Sequence, residues 1–183
     1  MTKEVRHWPL TNSQELGDYR VFRLRQDRRE SPRTGRDHTF FVLDTGDWIN
    51  VVPVTPDNKI VLIRQFRHGV EEVTLEIPGG MVDESDESPM VSARRELLEE
   101  TGYAADELIH IGTVTPNPAI LNNRCHTFLA RNARLVSVPH MDGSEDIQTD
   151  LVDAGEIPGL IMSGQINHAL VIAAFYFYSQ CKH

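Results

Sequence analysis

The chain has 183 residues, enough for one domain with a substantial core and a small additional arm. Hydrophobic residues make up 40% of it and charged residues 25%, which excludes a disordered chain. The formal net charge of −9 argues against a nucleic-acid-binding protein. Residues 1–36 alone sum to +4 and the remainder to −13, so the acidic groups are concentrated after the first 36 residues.

The N-terminal segment is predicted to form a strand arm. Residues 19–26 alternate apolar and basic side chains, as a strand with one solvated face does. Residues 27–37 are charged and contain Pro and Gly, which predicts a turn, and residues 38–44 form a second candidate strand. The two strands together predict a hairpin arm.

The middle of the chain is predicted to be a sheet followed by a helix. Residues 48–53 and 59–66 flank a turn and are rich in β-branched side chains, as paired strands are. Residues 72–77 alternate, with Val73, Leu75 and Ile77 expected on one face of a strand and Glu72, Thr74 and Glu76 on the other. The dipeptide Ser88-Pro89 predicts a helix start, and Gly102 predicts its end.

The last part of the chain continues the mixed pattern. Strands are predicted over 109–115, 124–130 and 147–152, and a helix over 165–180. The apolar run 169–178 is too short to span a bilayer, so no membrane association is expected. The N-terminus lacks the apolar stretch of a secretory signal, and the two cysteines form no CxxC pair, which favours a cytoplasmic location. The fold class is α/β.

Acidic residues cluster on the predicted helix. At 100° per residue, the carboxylates of Glu96, Glu99 and Glu100 fall within an arc of roughly 100°. We expect the apolar side chains of the same helix to pack on the sheet: Met90, Val91, Ala93, Leu97 and Leu98. Like charges at this spacing are mildly destabilising, whereas oxygen ligands suit Mg²⁺ or Mn²⁺. By itself, three glutamates on a helix more often form a solvated acidic face than a metal site.

The residues around this helix match a known signature. Glu87 is followed by seven residues and then by Arg95-Glu96-Leu97-Leu98-Glu99-Glu100-Thr101-Gly102. This segment resembles the Nudix signature G-x5-E-x7-R-E-U-x-E-E-x-G-U, where U is an aliphatic residue. Two places depart from it: Tyr103 replaces the last aliphatic residue, and six residues instead of five separate Gly80 from Glu87. Either Asp86 or Glu87 therefore fills the first acidic place.

The resemblance extends to one branch of that family. The segments WINVVPVTPDNKIVLIRQFRHG, EVTLEIPGG and PNPAILNNRCHTFLA look like those of ADP-ribose pyrophosphatases and nucleoside diphosphate sugar hydrolases. It implies an α/β/α sandwich with a mixed sheet over residues 45–183, preceded by a strand arm over 1–44 that exchanges with a partner in a homodimer. The implied activity is hydrolysis of the diphosphate of a nucleotide sugar such as ADP-ribose, with Mg²⁺ or Mn²⁺.

The resemblance also assigns roles to residues. Metal ligands would be the Gly79 carbonyl, Glu96, Glu99 and Glu100. Catalysis would involve Glu99, with Arg95 holding the glutamates and Glu145 as the candidate base that takes the proton from water. Substrate contacts would come from Arg67, Glu76 and Trp48. Two alternatives stay open: a Nudix hydrolase of another nucleoside di- or triphosphate derivative, and a Nudix-fold nucleotide sensor without catalysis.

Overall fold

The computed structural model describes residues 4–141 and 146–181. The chain divides into two compact units, the described part of residues 1–46 with Thr115–Asn123, and Asp47–Val114 with the described part of residues 124–183. No helix within the described residues is long and apolar enough to cross a membrane.

The first unit contains a three-stranded antiparallel sheet. Its strands in spatial order are β1 (Leu10–Asp18), β2 (Arg23–Glu30) and β3 (Asp37–Asp44). Asp27 in the central strand is 1% exposed and accepts hydrogen bonds from Ser13 Oγ at 2.8 Å and Arg29 Nη2 at 3.2 Å. These partners compensate the buried carboxylate, and the hydrogen bonds from Ser13 and Arg29 help hold its pKa below the usual value although burial acts to raise it.

The arm therefore differs from its sequence prediction. We predicted a turn over 27–37, but β2 continues to Glu30, and the predicted strand 19–26 begins only at Arg23. The prediction also omitted β1, whose sequence LTNSQELGD contains only two large apolar residues. Hydropathy misses such a strand because its stability comes from backbone pairing with β2, not from a buried face.

The second unit is built on a seven-stranded mixed sheet. Five strands follow the order β12-β5-β4-β10-β9, while β6 pairs with β5 and β7 with β4. Among the strand pairs described for this sheet, β4–β10 alone is parallel. A separate two-stranded sheet joins β8 (Tyr103–Ala104) to β11 (Arg134–Leu135). The bounds of the seven strands are β4 Trp48–Val54, β5 Lys59–Arg67, β6 Glu72–Glu76, β7 Gly79–Met81, β9 Glu107–Val114, β10 Cys125–Arg131 and β12 Ile147–Asp153.

Helices cover both faces of this sheet. They are α1 (Pro89–Thr101), α2 (Ile157–Met162), which follows a short 3₁₀ turn, and α3 (Ala169–Gln180). Leu62 on β5 belongs to the core cluster that contains Val171 and Phe175 of α3, whereas its neighbour Val61 belongs to the cluster that contains Leu97 of α1. Because successive strand residues point to opposite faces, α1 and α3 lie on opposite sides of the sheet. This confirms the expected α/β sandwich; α2 was not predicted.

The helix that carries the acidic residues begins and ends as predicted. Ser88 is extended (φ −165°, ψ 160°) immediately before Pro89, although its side chain makes no capping hydrogen bond. Gly102 has a φ of 72° and its N–H donates to the Leu98 carbonyl, a left-handed helix end that favours glycine. The helix therefore holds its side chains in a fixed register beside β4 and β7.

Candidate active site

The buried face of α1 is partly acidic. Glu100 is 2% exposed and lies on the side that also buries Ala93 and Leu97. Met90, Val91 and Leu98, which we predicted to pack on the sheet, are instead about 40% exposed. The predicted apolar face was wrong at these three positions, because the helix is rotated so that a carboxylate, and not these side chains, faces the sheet.

The strand β7 contacts the carboxylates of Glu96 and Glu100. The Gly79 amide donates a hydrogen bond to Glu100 Oε2 at 2.9 Å. At Gly80, a Cβ atom would come within 2.5 Å of Glu96 Oε1, so this carboxylate packs directly on the glycine backbone. Glu96 and Glu100 therefore flank two consecutive glycines, and any larger side chain at Gly80 would displace Glu96.

Arg95 connects the other acidic groups. Its Nη1 donates to Glu96 Oε1 at 2.9 Å and to Glu99 Oε2 at 3.1 Å, and its Nη2 donates to Asp86 Oδ2 at 3.1 Å. Burial by itself lowers the pKa of Arg95, but the hydrogen bonds and charges of these carboxylates raise it well above its usual value. The guanidinium thus remains charged and fixes the positions of three carboxylates around it.

Asp86 and Glu87, between which the sequence did not decide, have different surroundings. Asp86 Oδ2 accepts hydrogen bonds from Ser92 Oγ at 2.7 Å and from Arg95, and these bonds lower the pKa of Asp86. Glu87 is exposed. Asp86 is therefore the acidic residue that supports Arg95, which fits the count of five residues from Gly80.

These donors suit a hard divalent cation. Within residues 4–141 and 146–181, no three His, Cys, Asp or Glu side chains are placed to form a metal cage. Mg²⁺ seldom uses such a cage, since it is bound through one or two carboxylates and keeps several waters for exchange with substrate phosphates. The oxygen donors of Glu96 and Glu100, closely packed on the Gly79–Gly80 backbone, fit that mode of binding. Glu99 is paired with Arg95 at the edge of the same group.

A cleft of about 630 Å³ adjoins this backbone. Gly79 and Gly80 line it, together with residues of β4, β5 and β6 and the start of α3. The predicted substrate residues Trp48, Arg67 and Glu76 also lie in its wall. The strand β7 therefore lies between the cleft that holds the predicted substrate contacts and the carboxylates of α1.

Arg67 and Glu76 form a bidentate ion pair in this wall. Arg67 Nε donates to Glu76 Oε1 at 2.7 Å and Nη2 donates to Oε2 at 2.8 Å, while Thr74 Oγ1 donates to Oε1 at 2.6 Å. Burial raises the pKa of Glu76, but the hydrogen bonds from Arg67 and Thr74 outweigh it and hold the pKa below its usual value. Glu76 is 2% exposed, so its charge is fixed in the wall.

The strand β6 is buried over only part of its length. Val73 is 63% exposed, whereas Leu75 and Ile77, which we placed on the same face, are buried. Val73 is exposed because the first two residues of β6 extend beyond the core, while Thr74 and Glu76 on the other face are covered.

The cleft contains residues that the sequence did not single out. Asn50 is 6% exposed and donates through Nδ2 to the Leu170 carbonyl at 3.3 Å. His168 also lines the cleft at the start of α3. Burial, with the charge of Asp47, raises the pKa of Cys125 in the same wall to about 12, so this thiol stays protonated. The predicted base Glu145 lies outside the described residues.

Comparison with known proteins identifies the family. The model of the NUDIX domain matches residues 45–160. The chain belongs to the Nudix hydrolase family. It is 30% identical over 130 residues to an ADP-ribose pyrophosphatase of Bacillus subtilis, covering 70% of each chain. It is 26% identical over 163 residues to an ADP-ribose pyrophosphatase of Mycobacterium tuberculosis, covering 88% of this chain and 78% of that protein.

A solved structure supports the fold of this Nudix hydrolase. The crystal structure of an ADP compounds hydrolase superposes with a TM-score of 0.85, covering 98% of this chain and 96% of the other at 19% sequence identity. At this identity the likeness concerns the fold. Nudix hydrolases generally need divalent metal ions, which agrees with the oxygen donors on α1.

Proposed function

We propose that this Nudix hydrolase cleaves the diphosphate bond of nucleoside diphosphate sugars, with ADP-ribose as the representative substrate. The observation that carries the proposal is the Gly79–Gly80 strand, which lines the cleft on one side and contacts Glu100 and Glu96 on the other. The substrates named for the relatives in Bacillus subtilis and Mycobacterium tuberculosis support this choice.

The proposed reaction adds one water across the diphosphate. The water oxygen bonds to one phosphorus, the bond from that phosphorus to the bridging oxygen breaks, and the products are AMP and ribose 5-phosphate. The proton lost by the water goes to a base, for which Glu145 remains our candidate. Most of the acceleration would come from positioning and charge stabilisation.

The chain's own residues would hold both reactants in place. Glu96, Glu99, Glu100 and the Gly79 carbonyl are the proposed ligands of Mg²⁺ or Mn²⁺, and Arg95 keeps three of the surrounding carboxylates in position. When bound, such a cation neutralises diphosphate charge and lowers the pKa of water. Arg67, Glu76 and Trp48 in the cleft wall are the proposed substrate contacts.

A nucleotide panel tests this proposal directly. The protein is incubated with ADP-ribose, ADP-glucose, GDP-mannose and ATP in Mg²⁺, in Mn²⁺ and in EDTA, and the products are separated by chromatography. We expect AMP and ribose 5-phosphate from ADP-ribose, and only when a metal is present. Binding of every nucleotide without cleavage would instead indicate a sensor, and preferential cleavage of ATP would indicate a triphosphate hydrolase.

Substitutions of Glu100 and Glu87 provide a second test and its matched control. Glu100→Gln keeps an oxygen that can accept the Gly79 N–H, so the fold should persist while activity falls by at least about 100-fold. Glu87→Gln removes an exposed carboxylate and should retain wild-type activity. Full activity in Glu100→Gln contradicts the proposed role of this carboxylate.

We also propose that residues 1–44 form an arm that joins two copies of the chain, with residues 45–183 as the catalytic domain. Exposed large apolar side chains in the three-stranded sheet and in its β1–β2 connection support this arrangement: Leu10, Leu16, Tyr19, Val21, Phe40 and Phe41. A cytoplasmic location is proposed as well, since Cys125 and Cys181 are both free thiols.

A further inference from the structure

The start of α3 places a second polar group against the buried carboxylate of Glu76. His168 immediately precedes the helix, and its Nδ1 lies 3.6 Å from Glu76 Oε2. That separation is too long for a hydrogen bond, and Nδ1 is buried without a hydrogen-bond partner. The ring as a whole is 41% exposed and lines the cleft.

A second unpartnered polar atom lies in the same wall. Asn50 Oδ1 is buried and has no hydrogen-bond partner, while the Nδ2 of the same amide donates to the carbonyl of Leu170 in the first turn of α3. Buried polar atoms are normally hydrogen-bonded, and an unsatisfied one costs about 1–3 kcal/mol. Two such atoms on one cleft wall indicate that a ligand supplies the missing hydrogen bonds.

The charge of this wall indicates what kind of ligand group it contacts. The positive charge of Arg67 is matched by the bidentate carboxylate of Glu76, so the ion pair contributes little net field toward the cleft. A neutral group that both donates and accepts hydrogen bonds fits this wall better than an anion does. The hydroxyl groups of a ribose have that chemistry, whereas the diphosphate does not.

We infer that His168 is a substrate-binding residue that hydrogen-bonds a ribose hydroxyl of the nucleotide sugar. The hydroxyl would supply the hydrogen bond that Nδ1 lacks, beside the Glu76 carboxylate. This inference rests on the proposed function and adds to it a residue that distinguishes hydroxylated from deoxy sugars.

The test compares three ligands and four proteins. The ligands are ADP-ribose and its two single-deoxy analogues, one lacking the 2′-hydroxyl of the adenosine ribose and the other lacking the 2″-hydroxyl of the terminal ribose. The proteins are the wild type, His168→Ala, His168→Gln and the control His110→Gln. His110 is an exposed histidine on β9 that does not line the cleft. The readouts are kcat and KM with Mg²⁺, and Kd by calorimetry in EDTA.

We expect His168→Ala to raise KM and Kd for ADP-ribose about 10-fold, the effect of one lost hydrogen bond, with kcat changed less than about twofold. His168→Gln should recover part of the affinity, and His110→Gln should match the wild type. One deoxy analogue should bind wild type and His168→Ala equally, because the hydroxyl that His168 contacts is already missing from it.

Three outcomes would overturn the inference: an unchanged KM in His168→Ala, an equal loss for all three ligands, or a fall in kcat at constant KM. Each leaves the proposed activity intact, provided the wild type cleaves ADP-ribose. If the wild type cleaves no nucleotide sugar in either metal, the proposed function itself fails.

Discussion

The Glu96 carboxylate lies against the backbone of Gly80, where any side chain would displace the carboxylate. A Cβ atom at Gly80 would meet Glu96 Oε1 at 2.5 Å, and this oxygen belongs to a flexible side chain. At Gly79 a Cβ atom would meet the Ile49 carbonyl oxygen, also at 2.5 Å, and this oxygen belongs to the sheet backbone. Alanine at the two neighbouring positions should therefore have different consequences.

We predict that Gly80→Ala retains its fold but loses about 10- to 100-fold in activity, because Glu96 is displaced from its position beside β7. Gly79→Ala should lower the free energy of unfolding by about 1–3 kcal/mol, because a backbone atom must move. Urea denaturation and steady-state kinetics with a Mg²⁺ titration separate the two effects. Equal stability and equal activity in both variants would contradict this interpretation of the two glycines.

The sequence predicted the ends of α1 better than its orientation. Ser88-Pro89 and Gly102 determine where the helix begins and ends through local backbone geometry, which is readable from a few residues. The burial of Glu100 depends on the Gly79 amide, more than twenty residues away. Helical periodicity instead assigned Met90, Val91 and Leu98 to the core, because hydropathy does not anticipate a carboxylate that is buried for its chemistry.

In the cleft too, the sequence predicted what depends on neighbouring residues and missed what depends on tertiary packing. The alternation of residues 72–77 correctly separated Glu76 from Leu75, since both positions belong to one short strand. His168 is remote in sequence from Glu76, and only the packing of α3 on the sheet brings the two together. No local pattern indicates such a contact.

Asp86 and Glu87 allow a direct test of the acidic loop. Asp86→Asn should lower activity about 10-fold, because Arg95 loses an ionised partner that helps hold it beside Glu96 and Glu99. Glu87→Gln should have no effect, because its side chain is exposed and does not contact Arg95 in the structure. Initial rates at saturating Mg²⁺ measure both variants. The reverse ranking would mean that Glu87 fills the first acidic place of the motif.

The Arg67–Glu76 pair predicts a pH-dependent contribution to stability. The pKa of Glu76 is lower in the folded protein than its ordinary value of 4.5, because the hydrogen bonds from Arg67 and Thr74 outweigh burial. The folded state therefore gains stability from this group above about pH 4.5, and loses it as the pH falls through the lower folded value. Glu76→Gln should be less stable than wild type by about 1–2 kcal/mol at pH 7, allowing for the partial exposure of Arg67.

Urea denaturation between pH 7 and pH 3 measures this difference. The stability gap between wild type and Glu76→Gln should stay constant above about pH 5.5 and shrink below pH 4.5. Glu72→Gln, an exposed residue of the same strand, provides the control and should follow the wild type throughout. A gap that does not change with pH would show that Glu76 contributes through its shape and not through its charge.

The exposed apolar residues of the three-stranded sheet predict a dimer. Phe41 on β3 is 52% exposed, and Phe40 beside it packs edge-on against Trp8 at 5.8 Å between ring centroids. Because adjacent strand residues point to opposite faces, Phe41 projects from the face that Trp8 does not cover. An exposed aromatic side chain of this kind is typical of interface anchors.

If the proposed dimer forms through this face, Phe41→Asp should yield a monomer of 20.8 kDa, because a charge placed in an apolar interface is strongly unfavourable. Leu135→Asp, which changes a 63% exposed residue of β11, is the matched control and should leave the dimer intact. Light scattering coupled to size exclusion gives both masses. Deleting residues 1–36 removes β1 and β2 and should likewise abolish the proposed dimer. If the truncated chain still has twice its own mass by the same measurement, the arm does not form the interface.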